Sequence, residues 1–412
     1  MILLAYLPEV VAFSVFFLMS LQLPEFGTVS ILAQIGATGL LILSRPADAL
    51  QTLVRWWPLL LVPVLAMLST FWSDLPEASL RYGAQYLFTA FVGVHLARLM
   101  SPQRFLIVLL LAAFVFIVLS LGSPRMGPSF HHSVPIGLTG SKNAMGTQAM
   151  LTASVAFAAL LMPNISRAVR WIAALALLIG FYFLVRAESA TALVTGLVMI
   201  MALAGLWYLQ RLPANGRLSL LLVGLIILVP LSFLLPEALA WVERFMTDTL
   251  DKDPTLTGRT ILWAAADELA ARRPFLGYGY QAIWLGDSPD STGLHRLTGM
   301  TDGRTFHFHN HYRQIAVDLG YVGMTLFAGT MLVVLLAGIR QFVLRPSVAT
   351  TFFFLTMLSL ALRGSIDLIV GPFAVQTLVF YAAGVYAFKR AKEPVTAARP
   401  APAQPRRWRA SA

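Results

Sequence analysis

Residues 104–122 read RFLIVLLLAAFVFIVLSLG: one arginine, then eighteen residues without a charge. A helix that crosses a bilayer needs roughly 20 mainly apolar residues, and this run is about that long. In lipid the backbone must satisfy its own N–H and C=O groups, which a helix does within one segment. A transmembrane barrel would instead show alternating segments of about 10 residues. The pattern recurs along the chain, with apolar runs near residues 4–22, 28–44, 53–71, 83–99, 144–162, 169–185, 190–208, 217–236, 312–339, 346–365 and 370–388. The expected fold is all-α: a polytopic membrane protein with about twelve transmembrane helices and one large periplasmic loop containing amphipathic helices.

Composition agrees. Of 412 residues, 58% are hydrophobic and 12% charged, against about a quarter charged in soluble domains. There is no cysteine, so disulfides and thiolate–metal sites are excluded. The first apolar run has no Lys or Arg before it and no clear small-residue cleavage site, and it reads as a retained span rather than a signal peptide.

The net charge of +11 is mostly topological, so it does not indicate nucleic acid. Every second connection is short and carries two arginines: Arg45/Arg55, Arg98/Arg104, Arg167/Arg170, Arg211/Arg217 and Arg340/Arg345. Such loops lie in the cytoplasm. The C-terminal tail adds Lys389, Arg390, Lys392, Arg399, Arg406, Arg407 and Arg409 in a Pro/Ala/Arg-rich setting that predicts disorder. Both termini are therefore expected in the cytoplasm. The expected organisation is nine helices over 1–236, a periplasmic loop over 237–311, three helices over 312–388 and a basic tail over 389–412. The 9+3 asymmetry shows no internal repeat, which counts against a secondary transporter, the alternative of another class.

The polar interruption from Thr257 to Gly323 holds the residue types that carry chemistry. Gly258-Arg259-Thr260-Ile261-Leu262-Trp263 opens a segment with Ile261, Leu262, Ala265 and Leu269 at helical spacing, and Pro274 stops it. An amphipathic helix on the membrane surface is predicted. Arg259 falls in its first turn, where the helix dipole disfavours a cation. That points to an anionic partner; a water-facing arginine is the plainer reading. Arg272 and Arg273 fall at the end the dipole favours. Gly277-Tyr278-Gly279-Tyr280 lacks the third glycine and βαβ setting of a nucleotide fingerprint. Its glycines predict a turn, and its tyrosines suit sugar rings or the membrane interface.

His307, His309 and His311 alternate just before a span. An imidazole titrates near neutrality and suits a base or hydrogen-bond acceptor for a hydroxyl; His309 is the candidate, with His307 and His311 read as interfacial. With no cysteine and Asp302 the nearest carboxylate in sequence, no metal site and no cofactor is expected.

Further ionisable groups fall at predicted outer ends of spans: Lys142 with Asn143, Arg186 with Glu188 and Ser189, and Arg363 with Asp367. Charges at membrane depth usually face a cavity or one another; the i,i+4 spacing of Arg363 and Asp367 permits a structural pair. Lys142, Arg186, Arg259 and Arg363 are expected to converge on one cationic cavity. Arginine binds phosphate bidentately and lysine serves as a point charge, so the expected ligand is a lipid with a phosphate or diphosphate headgroup.

The elements Gly258-Arg259-Thr260…Trp263, Arg273-Pro274-Phe275-Leu276-Gly277-Tyr278-Gly279 and His309-Asn310-His311-Tyr312…Leu319-Gly320-Tyr321-Val322-Gly323 resemble, in order and spacing, the O-antigen ligase/polymerase superfamily of bacterial membrane glycosyltransferases. Lys142-Asn143-Ala144-Met145-Gly146 is similar to the ExoQ-type exopolysaccharide polymerase branch. The resemblance covers about residues 138–323 and is only hydropathic elsewhere. It implies a polyprenyl-diphosphate-linked glycan donor, an inverting and metal-independent transfer, Arg259 as the loop arginine and His309 facing the acceptor. Lys142, Asn143, Arg186, Ser189, Arg273, Tyr278, Asn310, Arg363 and Asp367 are the expected substrate-binding residues. One departure is that the Ser-x-Ser-Arg element of many ligases reads Glu188-Ser189-Ala190-Thr191 here. The expected enzyme polymerises lipid-linked oligosaccharide repeats in the bacterial inner membrane, with a flippase and a chain-length regulator as partners. The alternative is a ligase that moves the glycan to lipid A core, and a non-catalytic scaffold is a third class.

Overall fold

A computed structural model of the chain describes residues 6–129, 132–233, 259–299 and 306–389. Segments 234–258, 300–305 and 390–412 lie outside these, including Asp302, the start of the predicted loop and almost all of the predicted tail. The described residues are helical apart from turns and one hairpin, Met126–Pro128 paired antiparallel with Ser133–Pro135. Among the described residues, seven helices are long and apolar enough to cross a membrane: 27–44, 46–71 (in pieces), 102–121, 142–161, 167–186, 190–209 and 311–344. The chain is a multi-pass membrane protein. The expected twelve crossings become seven by these two criteria, with shorter apolar helices Leu7–Ser20, Val348–Arg363 and Val375–Phe388 on three other predicted runs. Pro46, Pro76 and Pro102 each open a helix at its first position, where a missing N–H costs nothing.

Most of the helices share one large apolar core, with smaller clusters around Trp284 and around Phe183. Helix Lys142–Leu161 packs on Pro102–Leu121, Arg167–Arg186 and Ala190–Leu209, and Val348–Arg363 bridges to Ala190–Leu209 and Val375–Phe388. At one end of the bundle Arg98 pairs with Asp48 (2.9 Å) and Arg104 with Glu9 (3.5 Å). Lys389 donates to the carbonyls of Ala97, Arg98 and Met100 there, at 2.8–3.0 Å. A cation at a helix C-terminus satisfies carbonyls that the helix leaves open. Lys389 therefore belongs to the bundle and not to the tail where the sequence placed it.

The opposite end collects the other connections. The Gln22 amide donates to the Leu138 carbonyl, Ser129 bonds to Glu188, the Asp74 amide donates to the Tyr278 carbonyl, and Arg259 bonds to Ile366. Here helix Arg259–Arg272 buries Leu262, Ala266, Leu269 and Ala270, an i, i+4, i+7, i+8 stripe. That stripe meets Trp284, Phe308, Ala316 and Val317. The predicted apolar face included Ile261, which is 57% exposed. The correction has a physical cause: the helix docks on the start of the His311–Leu344 helix, which turns its buried stripe away from Ile261.

That long helix is broken at Gly320 (φ +68°, ψ −174°). The break frees backbone groups, and the preceding loop takes them. The amides of Tyr278 and Gly279 donate to the carbonyls of Val317 and Asp318, and those of Tyr321 and Val322 donate to Pro274 and Phe275. A Cβ at Gly320 would stand 2.1 Å from the Phe275 carbonyl oxygen, and one at Gly277 (φ +68°) 2.3 Å from that of Val317. Both positions need glycine for the φ and for the close approach. The Pro-Phe-Leu-Gly-Tyr-Gly and Leu-Gly-Tyr-Val-Gly stretches are thus two halves of one interlock.

Candidate functional site

The turn after helix Val348–Arg363 is held from outside at three successive carbonyls. The His311 amide donates to Gly364 (2.7 Å), the Asn310 side-chain amide to Ser365 (2.8 Å) and the Arg259 guanidinium to Ile366 (2.9 Å). Asn310 also caps the long helix, its Oδ1 accepting from the Arg313 amide at 3.0 Å, as N-cap residues do. Arg313 makes two bonds to Asp267 (2.8 and 3.0 Å) and lies over Trp263, whose indole N–H donates to the Phe308 carbonyl (2.9 Å). These contacts fix the 259–263 turn, the 308–313 segment and the 364–367 turn as one unit, and they place Asp367 against the histidines.

His309 stands at the centre. Its backbone is in the left-handed region (φ +50°), a strain that concentrates at functional sites. Its ring packs edge-on to Phe306, 4.1 Å from the His307 ring between centroids. Its amide donates to His307 Nδ1 (3.1 Å), while its own Nδ1 is buried without a partner. Burial lowers its pKa to about 3, with the charges of His307 and Arg259 adding and Asp367 opposing. His307 is lowered to about 4 by burial and then by Arg259. Both rings are neutral in ordinary conditions, and His309 presents an unpartnered ring nitrogen in a half-buried setting.

His307, His309 and Asp367 each offer an atom within 4.8 Å of the others. The sequence placed the nearest carboxylate at Asp302; the fold supplies Asp367 instead. Three such groups match a catalytic zinc set in number. Ligands of a bound zinc at 2.0–2.2 Å would stand roughly 3.3 Å apart. An ion here would also lie next to the Arg259 guanidinium that depresses both histidines.

Arg363, 5% exposed, donates to Thr147 (3.1 Å) and pairs with Asp367 (3.4 Å), with its Nε unpartnered. It ties the turn to helix Lys142–Leu161. Lys142 itself belongs to a neighbouring cluster: it donates to Ser129 Oγ (3.2 Å), and Ser129 and His132 bond to the Glu188 carboxylate at 2.6 and 2.7 Å. Asn143 and Arg186 are exposed beside it. Ser189 is buried against Gly146, where a Cβ would approach its own to 2.7 Å.

Two expected ligand residues serve the interlock instead. Arg273 pairs with Asp74 (2.7 Å) and lies over the ring of Tyr278 (4.4 Å), which is buried. Asn310 likewise spends its side chain on the cap and on Ser365. The fold therefore brings Arg259, His309, Arg363 and Asp367 together and gives Arg273, Tyr278 and Asn310 framework bonds. Sequence reading passed over Asp318, Gln314 and Trp284. A lone carboxylate in an apolar run was the available signal for Asp318; Trp284 carried none.

Residues 175–328 match the family described as O-antigen ligase. A more distant relative is the exopolysaccharide production protein ExoQ of Rhizobium meliloti, 29% identical over 311 residues, spanning 73% of this chain and 69% of that protein. The matched region includes Arg259, His309 and both halves of the interlock. Lys142 precedes it, and Arg363 and Asp367 follow it. Those two nevertheless close the site, because the last helices fold back on that region's loop.

Proposed function

We propose that the protein is a glycosyltransferase that polymerises polyprenyl-diphosphate-linked oligosaccharide repeats at the periplasmic face of the bacterial inner membrane. The carrying observation is the buried, unpartnered Nδ1 of His309 beside the Arg259 guanidinium and the Asp367 carboxylate. In the proposed step an acceptor hydroxyl attacks the anomeric carbon opposite the diphosphate. The new C–O bond forms as the C–O bond to the diphosphate breaks, with inversion. The hydroxyl proton passes to His309, and the diphosphate leaves with the electron pair. Arg259, with Arg363 behind it, stabilises the charge on that leaving group without a metal, as fixed cations in a dry site do. A bound diphosphate would also oppose the positive field that holds His309 down, raising its proton affinity when substrate arrives. Lys142, Asn143 and Arg186 lie where they would meet the outer part of the lipid-linked glycan. An apolar groove of about 990 Å³, lined by Leu59, Phe275, Tyr321, Leu326 and Val333 among others, runs from the interlock along the bundle and suits an isoprenoid tail.

The polymerase reading draws on the likeness to an exopolysaccharide production protein. The family description favours a second reading, transfer of a finished glycan to lipid A core. Deletion of the gene followed by gel analysis of lipid-linked glycan separates them. Single repeats on lipid are expected; full-length polymer retained on lipid would overturn the polymerase reading in favour of the ligase.

A further inference from the structure

A second cavity, about 450 Å³, is lined by His311, and Arg259 is not among its lining residues. It is walled by Arg81, Tyr82 and Gln85, by Gln281, by His311 and Asp318, and by Phe373. Its size falls in the range of small-molecule pockets. Nothing in the transfer step above uses it.

Three buried polar atoms without partners belong to residues that line it. Asp318 is 0% exposed; its Oδ1 accepts from Gln314 (3.1 Å), while Oδ2 has no partner. His311 is 4% exposed, and neither ring nitrogen has a partner. Open hydrogen-bonding groups in a dry wall are costly unless something fills them. Two of the lining residues, Gln281 (φ +58°) and Phe373 (φ +49°), are also held in the left-handed region without being glycine. Such strain gathers at ligand clamps.

The chemistry selects the ligand. An aspartate side chain accepts hydrogen bonds and, when protonated, also donates one, while glutamine amides both donate and accept. The aromatic side chains of Tyr82 and Phe373 offer apolar walls. That combination matches a neutral sugar, whose hydroxyls donate and accept and whose C–H faces are apolar. His311 lies two residues from His309, and Leu368, which also lines the cavity, follows Asp367. A sugar held here would sit next to the reacting centre.

We propose that this cavity is a carbohydrate pocket that binds a neutral sugar unit of the acceptor glycan. The word acceptor rests on the transferase reading; the binding of carbohydrate does not. The test is saturation-transfer NMR on the full-length protein in lipid nanodiscs. The probe is the oligosaccharide mixture obtained by partial acid hydrolysis of the polysaccharide made by the producing cells. No donor is present and no bond is made. The wild-type protein is expected to bind the probe. Asp318→Asn and the pocket-filling Gln85→Trp are each expected to weaken binding at least tenfold, with the exposed Glu188→Gln unchanged. Absence of binding by the wild type, or both variants binding as tightly as the wild type, would mean a water-filled cavity and overturn the proposal. Equal loss in Glu188→Gln would show that the loss is not specific to the cavity and overturn it too. If Asp318→Asn lowers the thermal midpoint, Gln85→Trp, from a half-buried position on another helix, decides alone. A parallel transfer assay that shows no chain growth would sink the polymerase reading while leaving the pocket standing.

Discussion

Two histidine–carboxylate pairs sit at the same end of the bundle, and they differ in what they leave open. His132 bonds directly to Glu188 (2.7 Å), whose other oxygen takes the Ser129 hydroxyl (2.6 Å). Those bonds hold the Glu188 carboxyl below its ordinary range, and the pair is solvent-exposed. His309 lies near Asp367 but keeps a buried nitrogen free, and burial pushes its pKa to about 3. The first pair is a closed circuit that fastens the 126–135 hairpin to the turn between two helices. The second is an open valence in a dry setting. The contrast shows why residue type alone misleads: a histidine, a carboxylate and a nearby cation occur in both places, and only burial and missing partners tell them apart.

The comparison can be broken most directly by activity. His309→Ala and Arg259→Ala are expected to lower polymer synthesis by about 10²–10⁴-fold, the usual worth of a positioned base. Glu188→Gln is expected to change it by less than about threefold, since it removes one charge from an exposed contact. Equal losses in a chain-length assay would erase the distinction. The next largest effect is on the frame beneath the open site. Gly320→Ala forces a Cβ to 2.1 Å from a carbonyl oxygen at a positive φ and should destabilise by about 2–5 kcal/mol. A thermal midpoint equal to that of the wild type would show that the interlock does not hold the site.

Acid titration sharpens the contrast further. His307 and His309 have folded pKa values of about 4 and about 3, below the ordinary histidine value of about 6.5. The unfolded chain therefore takes up protons first, so stability is full above about pH 6.5 and falls as the pH drops towards those folded values. Glu188 is depressed in the same sense, so its contribution is lost only below the ordinary carboxylate range. Thermal midpoints measured from pH 7 to 5 should fall in the wild type and fall less in His307→Asn/His309→Asn. An unchanged slope would show that these rings are not shielded. The smallest effect belongs to the exposed Arg313–Asp267 pair: Asp267→Asn should cost no more than about 1 kcal/mol, read as a small shift in the thermal midpoint.

Much of this was legible from sequence. Charge-free runs such as residues 104–122 and paired arginines between them indicate a multi-pass helical protein, and the tertiary bonds sort those connections to two ends. Arg259 and His309 stood out because a cation in a first turn and histidines before a span both need explaining. The role of Asn310 was not legible, since cap and ligand use the same side-chain amide. Asp367 lies 58 positions from His309, and only the folding back of the last helices makes them neighbours. Gly277 and Gly320 announced a turn and a break, but their meeting depends on two segments 43 residues apart. Helix Arg259–Arg272 shows the limit of periodicity: Ile261 fits the apolar pattern, yet the docking partner buries the adjacent stripe.

The central claim is that the open histidine, and not the closed one, makes the glycosidic bond. It is tested most directly by reconstituting purified protein in liposomes with its polyprenyl-diphosphate-linked repeat and measuring lipid-linked chain length over time. The wild type and His132→Ala should both extend the repeat into a ladder and release polyprenyl diphosphate, while His309→Ala should leave single repeats. A ladder from His309→Ala comparable to the wild type, or its loss in His132→Ala alone, would contradict the account.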